Sequence, residues 1–319
     1  MKWLVLLRLV ALSECIVIIP MMKMKTLQEV MAYVINITIG TPPQEFRVII
    51  DTSSSDLWRY NPKASSSFQS GDGKHINLRY GCGRITGVLA TDTVRIRQLI
   101  AKSQTFVLSV NHLNGALEHA SYDGIMGLAY PSLTIHRTTP IFDNLNKNGI
   151  ISEPVFAFFI SSCPQKSSLL MLGGVDHAYH KGALTWVPVT QACLWQITVD
   201  RACFVPLSLR ISVNKKVIAC SSRCQAILDL VRQFLFGPTD IVRSIQRSIN
   251  PSPLQNEQRL ILCNSTMILP PSIFTMNGVD FPMSRKYYIQ KVKGQPRGIN
   301  SDLQSNNLTP PSTLIVYKL

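Results

Sequence analysis

Val34-Ile35-Asn36-Ile37-Thr38-Ile39-Gly40 alternates in strand fashion, and Thr41-Pro42-Pro43 breaks it with a turn. Phe46-Arg47-Val48-Ile49-Ile50 then runs on as a second strand into Asp51-Thr52-Ser53-Ser54-Ser55. β-Branched residues favour the pleated backbone, and prolines at the break force the chain to turn. Far along the chain, Ala226-Ile227-Leu228-Asp229-Leu230 repeats the pattern of a short apolar run ending in aspartate. This recurrence is the one sign of internal duplication. Two carboxylates delivered by two halves of a chain suit general acid/base chemistry on a water, if the fold brings them together.

Working outward, further strands are expected at His75–Tyr80, Thr93–Ile96, Phe106–Val110, Val155–Ile160, Leu169–Leu172 and Leu194–Val199. Others are expected at Leu207–Val213, Ala226–Leu228, Leu260–Cys263 and Tyr287–Val292. Between them lie Gly, Pro, Ser and Asn turns, a pattern that indicates an all-β architecture. Helical text is sparse. Thr139–Leu145 carries a proline near a helix start, and Thr239–Ile249 has apolar residues at helical spacing behind Gly237-Pro238, with Thr239 as N-cap.

The 319 residues are 46% hydrophobic, enough for one large domain or two medium lobes. Lys2 followed by the apolar stretch to Ser13-Glu14-Cys15 reads as a secretory signal peptide over 1–15, with Arg8 an unusual interruption. The alternative is an uncleaved anchor, but the uninterrupted run falls short of the ~20 residues a span needs. A formal charge of +14 raises nucleic acid as a partner. The basic residues are spread along the chain, with one local group at Arg285, Lys286, Lys291, Lys293 and Arg297, so a solvated basic face is the expectation and nucleic acid is set aside.

Of eight cysteines, Cys15 leaves with the leader, and Cys220 and Cys224 are spaced to close a tight disulfide loop before Asp229. Cys82, Cys163, Cys193, Cys203 and Cys263 remain, an odd number without metal-ligand spacing. The six histidines are scattered, so neither a metal site nor a Ser-His-Asp triad is expected, and no cofactor is. Sequons at Asn36, Asn264 and Asn307 are compatible with glycosylation and secretion, whereas Pro251 excludes Asn250.

At these residues the chain resembles the pepsin family of aspartic endopeptidases, in particular its placental secreted branch, the pregnancy-associated glycoproteins. The resemblance is carried by Asn36–Phe46, Asp56-Leu57-Trp58, Tyr122–Tyr130, Pro140–Leu145, Ser152–Phe158, Gly173–His177 and Trp186–Val189. It continues through Ala219-Cys220, Cys224-Gln225-Ala226, Gly237-Pro238-Thr239 and Phe274–Gly278, so that it runs from the leader to about Lys293. It implies an all-β, bilobal fold: an N-terminal lobe over 32–160, a C-terminal lobe over 161–319, and a shortened prosegment over 16–31. Asp51 and Asp229 match the two catalytic aspartates. Tyr80 matches the tyrosine of a flap hairpin that closes over substrate, Gly81 follows it, and Trp58 matches its supporting partner. Sharing of one proton between the carboxylates is a property established for pepsin itself and implied here only through the resemblance.

The departures from the family pattern are specific. Thr-Gly-Ser or Thr-Gly-Thr is expected after each aspartate. The threonines should grip the two lobes together, the glycine should let N–H groups approach, and the last hydroxyl should orient the carboxylate. After Asp51 stand Thr52, Ser53 and Ser54, so Ser54 is expected to keep that hydroxyl. After Asp229 stand Leu230, Val231 and Arg232: one grip hydroxyl is gone, leaving Thr52 without its partner, and a cation replaces the second hydroxyl. The chain also stops at Leu314–Leu319 without the family's closing Leu-Gly-Asp segment and final strand group, so the C-terminal lobe is expected to be incomplete.

Two functions follow. One is a secreted, monomeric aspartic endopeptidase homologue, weak or inactive as written, acting on peptides or unfolded protein. The other is a pseudo-protease that binds peptides or protein partners in its cleft by strand-like pairing without cutting them.

Overall fold

The computed structural model describes residues 16–25, 31–54, 65–80, 83–112, 121–134, 137–161, 163, 165–204, 216–231, 237–249, 271–283 and 313–318. The first half supplies β1 (Val17–Lys25), β2 (Met31–Ile39), β3 (Gln44–Asp51), β4 (Gln69–Tyr80), β5 (Gly83–Ile96), β6 (Leu99–His112) and β7 (Gly124–Gly127). Next come β8 (Val155–Ile160), β9 (Ser168–Leu172), β10 (Val189–Ala192), β11 (Trp195–Val199) and β12 (Arg201–Phe204). The remainder are β13 (Lys216–Ala219), β14 (Cys224–Ile227), β15 (Ser272–Met276), β16 (Val279–Met283) and β17 (Thr313–Lys318). The described residues hold two α-helices, Ile141–Lys147 and Thr239–Ile249. The all-β expectation holds.

The sheets converge on the two aspartates. A ten-stranded sheet runs in the order β17-β8-β9-β1-β2-β3-β7, with β5 branching from β2 to join β4 and β6. Early in β3 the side chains alternate between half-buried and exposed, and from Val48 to Asp51 all are buried. There β7 pairs in parallel with one edge of β3, Val48 opposite Gly124 and Asp51 opposite Gly127, and both faces are covered, Val48 and Ile50 packing in one core group and Ile49 in another. Farther along the chain, β10-β11-β14 and β13-β12-β15-β16 form two smaller sheets. The hairpin β15–β16 turns at Asn277 (φ 51°) and Gly278 (φ 74°), the left-handed pair that a two-residue hairpin demands.

At two stretches the structure adds to the expectation. The first is Leu314–Leu319, expected to end the chain without a closing strand. Residues 313–318 instead form β17 and pair antiparallel with β8, from Thr313 opposite Ile160 to Lys318 opposite Val155. Alternating Leu314, Val316 and Ile315, Tyr317 give it strand character, and the apolar β8 offers an edge to complete. The second is the segment 16–31, expected as a shortened prosegment. Val17–Lys25 is an interior strand, paired with β9 over Val17–Met21 and with β2 over Met22–Lys25. Val17, Ile19 and Met21 are buried in the main core with Ile35, Phe156 and Leu172.

The sequence understates β4, β5 and β6, which extend through polar text that in β4 and β5 also contains glycine. In β5, Gly87 faces the Leu108 carbonyl so closely that an added Cβ would lie 2.4 Å from it, so this strand contact needs glycine. The expected strands at 207–213, 260–263 and 287–292 lie outside the described residues, as do the leader and the basic group at 285–297.

Candidate active site

β3 ends in Asp51, which is buried with only 6% of its surface exposed. The chain then turns, and Ser53 donates to Asp51 Oδ1 twice, from its backbone N–H at 2.8 Å and its Oγ at 2.7 Å. The second loop repeats this geometry: the Val231 N–H donates to Asp229 Oδ1 at 2.9 Å. Neither Ser53 nor Val231 prevents the N–H approach for which glycine is expected. The hydroxyl that orients Asp51 comes from Ser53, not from Ser54; Ser54 Oγ is buried and makes no hydrogen bond among the described residues. Hydroxyl-carboxylate bonds of this kind fix the side chain's orientation.

The two loops meet at Thr52. Its side chain is fully buried, and its Oγ1 donates to the Leu228 carbonyl at 3.2 Å and accepts the Leu230 N–H at 3.0 Å. One hydroxyl thus ties the residues on either side of Asp229 to the residue after Asp51. The expectation that Leu230 would leave Thr52 without a partner is therefore corrected. Both partners of Thr52 are backbone groups, the Leu228 carbonyl and the Leu230 N–H, and any residue but proline at position 230 supplies the latter. What Leu230 removes is its own reciprocal hydroxyl. In its place, half-buried Leu230 packs against the core group containing Ile50, Met126, Leu128 and Trp195, and Val231 packs against the group containing Val34, Ile49 and Ile125. Apolar docking has replaced half of a polar grip.

The first loop is held from behind by the segment after β7. Leu128 donates to the Asp51 carbonyl and Ala129 to the Ser54 carbonyl, both at 2.8 Å. Asp123 fixes the approach to β7 by accepting the Arg47 N–H at 2.8 Å and donating its own N–H to the Arg47 carbonyl. Beside this segment, Tyr130 stacks at a tilt on Trp195, with centroids 4.5 Å apart. Burial, then the nearby Asp143 carboxylate, pushes the Tyr130 phenol above its usual range. Burial also pushes the Asp143 carboxyl up, against the opposing pull of Lys147.

β4 and β5 form an antiparallel hairpin whose last pair is Tyr80 opposite Gly83. This places Tyr80 at the end of a hairpin; its side chain, Gly81, Cys82, Trp58 and Arg232 lie outside the described residues. Cys220 and Cys224 are disulfide-bonded, closing the loop that leads into β14 and Asp229. Cys163, Cys193 and Cys203 are free thiols. Asn36 is exposed on β2, whereas Asn264 and Asn307 lie outside the described residues. Among the described residues, no cluster of three or more His, Cys, Asp or Glu is arranged to hold a metal. Sequence reasoning missed Ser53 as the carboxylate's partner because position in a motif, not geometry, singled out Ser54. It also missed Trp195, whose role depends on contacts with no sequence signature.

An all-β chain whose two halves bring strand-end aspartates to one junction, turned alike and joined through a buried threonine, has the architecture of the aspartic proteases. The chain belongs to the eukaryotic aspartyl protease family, which it matches over residues 32–307. It is 41% identical to pregnancy-associated glycoprotein 2 of Bos taurus, across 94% of this chain and 89% of that protein. It is 40% identical to pepsin F of Oryctolagus cuniculus, across 91% and 87% of the respective chains. Pregnancy-associated glycoprotein 2 of Sus scrofa matches at 40% identity over 91% of this chain and 80% of its own length.

Proposed function

We propose that this chain is a secreted, pepsin-like aspartic endopeptidase homologue whose candidate catalytic pair is Asp51 and Asp229, with hydrolysis weakened by its second loop. The observation that carries the reading is the Thr52 hydroxyl bonded on both sides of Asp229, between two aspartate turns of the same form. In the reaction, one carboxylate, ionised, takes a proton from a water as its oxygen attacks the peptide carbonyl. The other, protonated, donates to the oxygen on which negative charge develops. Exposed Ile227 and Leu228 beside Asp229 suit apolar side chains of an extended peptide. The hairpin ending at Tyr80 and Gly81, with Trp58, is assigned to the flap above it. Residues 1–15 are assigned as the leader, and Asn36, Asn264 and Asn307 as glycosylation sites. No helix among the described residues is long and apolar enough to cross a membrane.

A second reading, a peptide-binding protein without turnover, is favoured by one observation. Leu230 and Val231 place two apolar side chains, each packed against a core group, after Asp229, where the first loop presents serine hydroxyls. A displaced reacting group typically costs ~100-fold in rate, so a cleft can persist after turnover is lost.

The deciding experiment is cleavage of an unfolded protein at acidic and neutral pH, with and without pepstatin, beside an Asp51→Ala control. We expect slow, acid-favoured, pepstatin-sensitive cleavage that disappears in the control and rises at least about tenfold when Leu230, Val231 and Arg232 are replaced by Thr, Gly and Thr. A folded, secreted protein that cleaves nothing before or after that replacement would overturn the enzyme reading and leave the binding reading as the better description.

A further inference from the structure

We propose that Trp195 is a positioning residue for the aspartate pair, holding the two aspartate loops at a fixed separation from beneath. The inference rests on the assignment of Asp51 and Asp229 to one site. Trp195 opens β11 and is 3% exposed. Its indole Nε1–H donates to the Leu128 carbonyl at 2.8 Å, a buried bond, and the Leu128 N–H donates to the Asp51 carbonyl at 2.8 Å. On its other side, the Trp195 carbonyl accepts the N–H of Leu228, the residue before Asp229, at 3.3 Å. One residue therefore sits in a continuous chain of hydrogen bonds from the backbone of Asp51 to the neighbour of Asp229.

The ring cannot drift within this chain. Tyr130 lies against it at 4.5 Å between centroids, and Phe156 meets it edge-on at 5.3 Å. Aromatic contacts of this kind fix a ring's plane as well as its depth. Indole has a single polar group, a donor, and here its acceptor lies on the segment that backs the first aspartate. This brace is separate from the Thr52 staple, which joins the loops directly. With the reciprocal hydroxyl absent at Leu230, the brace carries a larger share of the positioning.

The test uses the whole chain and Trp195→Phe, which keeps a six-membered aromatic ring against Tyr130 and Phe156 and removes the N–H donor together with the five-membered ring that carries it. Trp186→Phe, at a half-exposed ring, is the control. Three quantities are read: affinity for a statine-containing peptide that mimics the tetrahedral intermediate, kcat and KM on a peptide substrate, and carboxyl-carbon NMR titrations of Asp51 and Asp229. With a wild-type circular dichroism spectrum, Trp195→Phe should lose about tenfold in kcat and in statine-peptide affinity while KM moves less than about twofold. Both aspartate titrations should also change relative to wild type and to the control. Unchanged titrations in a folded Trp195→Phe protein would overturn the proposal.

If the wild-type chain neither cleaves nor binds the statine peptide, the catalytic reading fails on its own, and the carboxyl titrations still decide the role of Trp195. If Trp195→Phe does not fold, replacement by 3-benzothienylalanine, which keeps the bicyclic shape without the N–H, is judged by the same titrations.

Discussion

The hydroxyl of Thr52 is used twice, as a donor to Leu228 and as an acceptor from Leu230, in a place no water reaches. Valine has nearly the same shape without the hydroxyl. Thr52→Val should therefore leave two backbone groups unpaired, at about 1–3 kcal/mol for each. Chemical denaturation would measure this; a loss no larger than that of Thr52→Ser would show that the staple contributes little. Asp143 has the opposite character, a carboxyl placed where its charge is unwelcome. Its folded pKa lies above the ordinary 3.8, so folding takes up a proton between the two values. The native state is thus free of this cost at and below the ordinary carboxylate range, and loses stability as pH rises through the raised value. Asp143→Asn should be more stable than wild type at neutral pH, with the gap closing on acidification. A gap in melting temperature independent of pH would contradict this.

Among the elements, β1 has the largest consequence. It is paired on both edges, with β9 through its first half and β2 through its second. Val17, Ile19 and Met21 are buried, each worth about 1.5–3 kcal/mol against exposure. Two strand edges would also be left without partners if it departed. Against a total native stability of about 5–15 kcal/mol, that loss is not absorbed. A chain lacking residues 16–25 should not be recovered as a folded protein, and the intact protein should keep these residues after acid exposure. N-terminal sequencing of the folded product checks both. A cooperative, folded species beginning beyond Lys25 would show that the strand is dispensable.

At the scale of the whole molecule, the legible part of the fold was the part written in apolar alternation. β2, β3, β8, β9 and β11 and both helices lie where their side chains place them. The two aspartates stand at one junction because each closes such a run. The illegible part depended on partners far away in sequence. Val17–Lys25 is not among the expected strands, yet it pairs with β9 and β2, and residues 313–318 read as a chain end until β8 supplies an edge. The hairpin β15–β16 was not among the expected strands although Asn277-Gly278 marks its turn. Leu230 reads as damage from sequence alone; in space it damages one hydroxyl and adds an apolar contact. The sheet that unites these strands also sets how the molecule would bear load. Val17, Leu172, Phe156 and Tyr317 stand in one row across β1, β9, β8 and β17, so the start of the first strand and the end of the last are three strand spacings apart, roughly 14 Å. Force applied at these two points would peel β17 from β8 and β1 from β9 one hydrogen bond at a time, like opening a zip from its end, and would not shear whole strands at once.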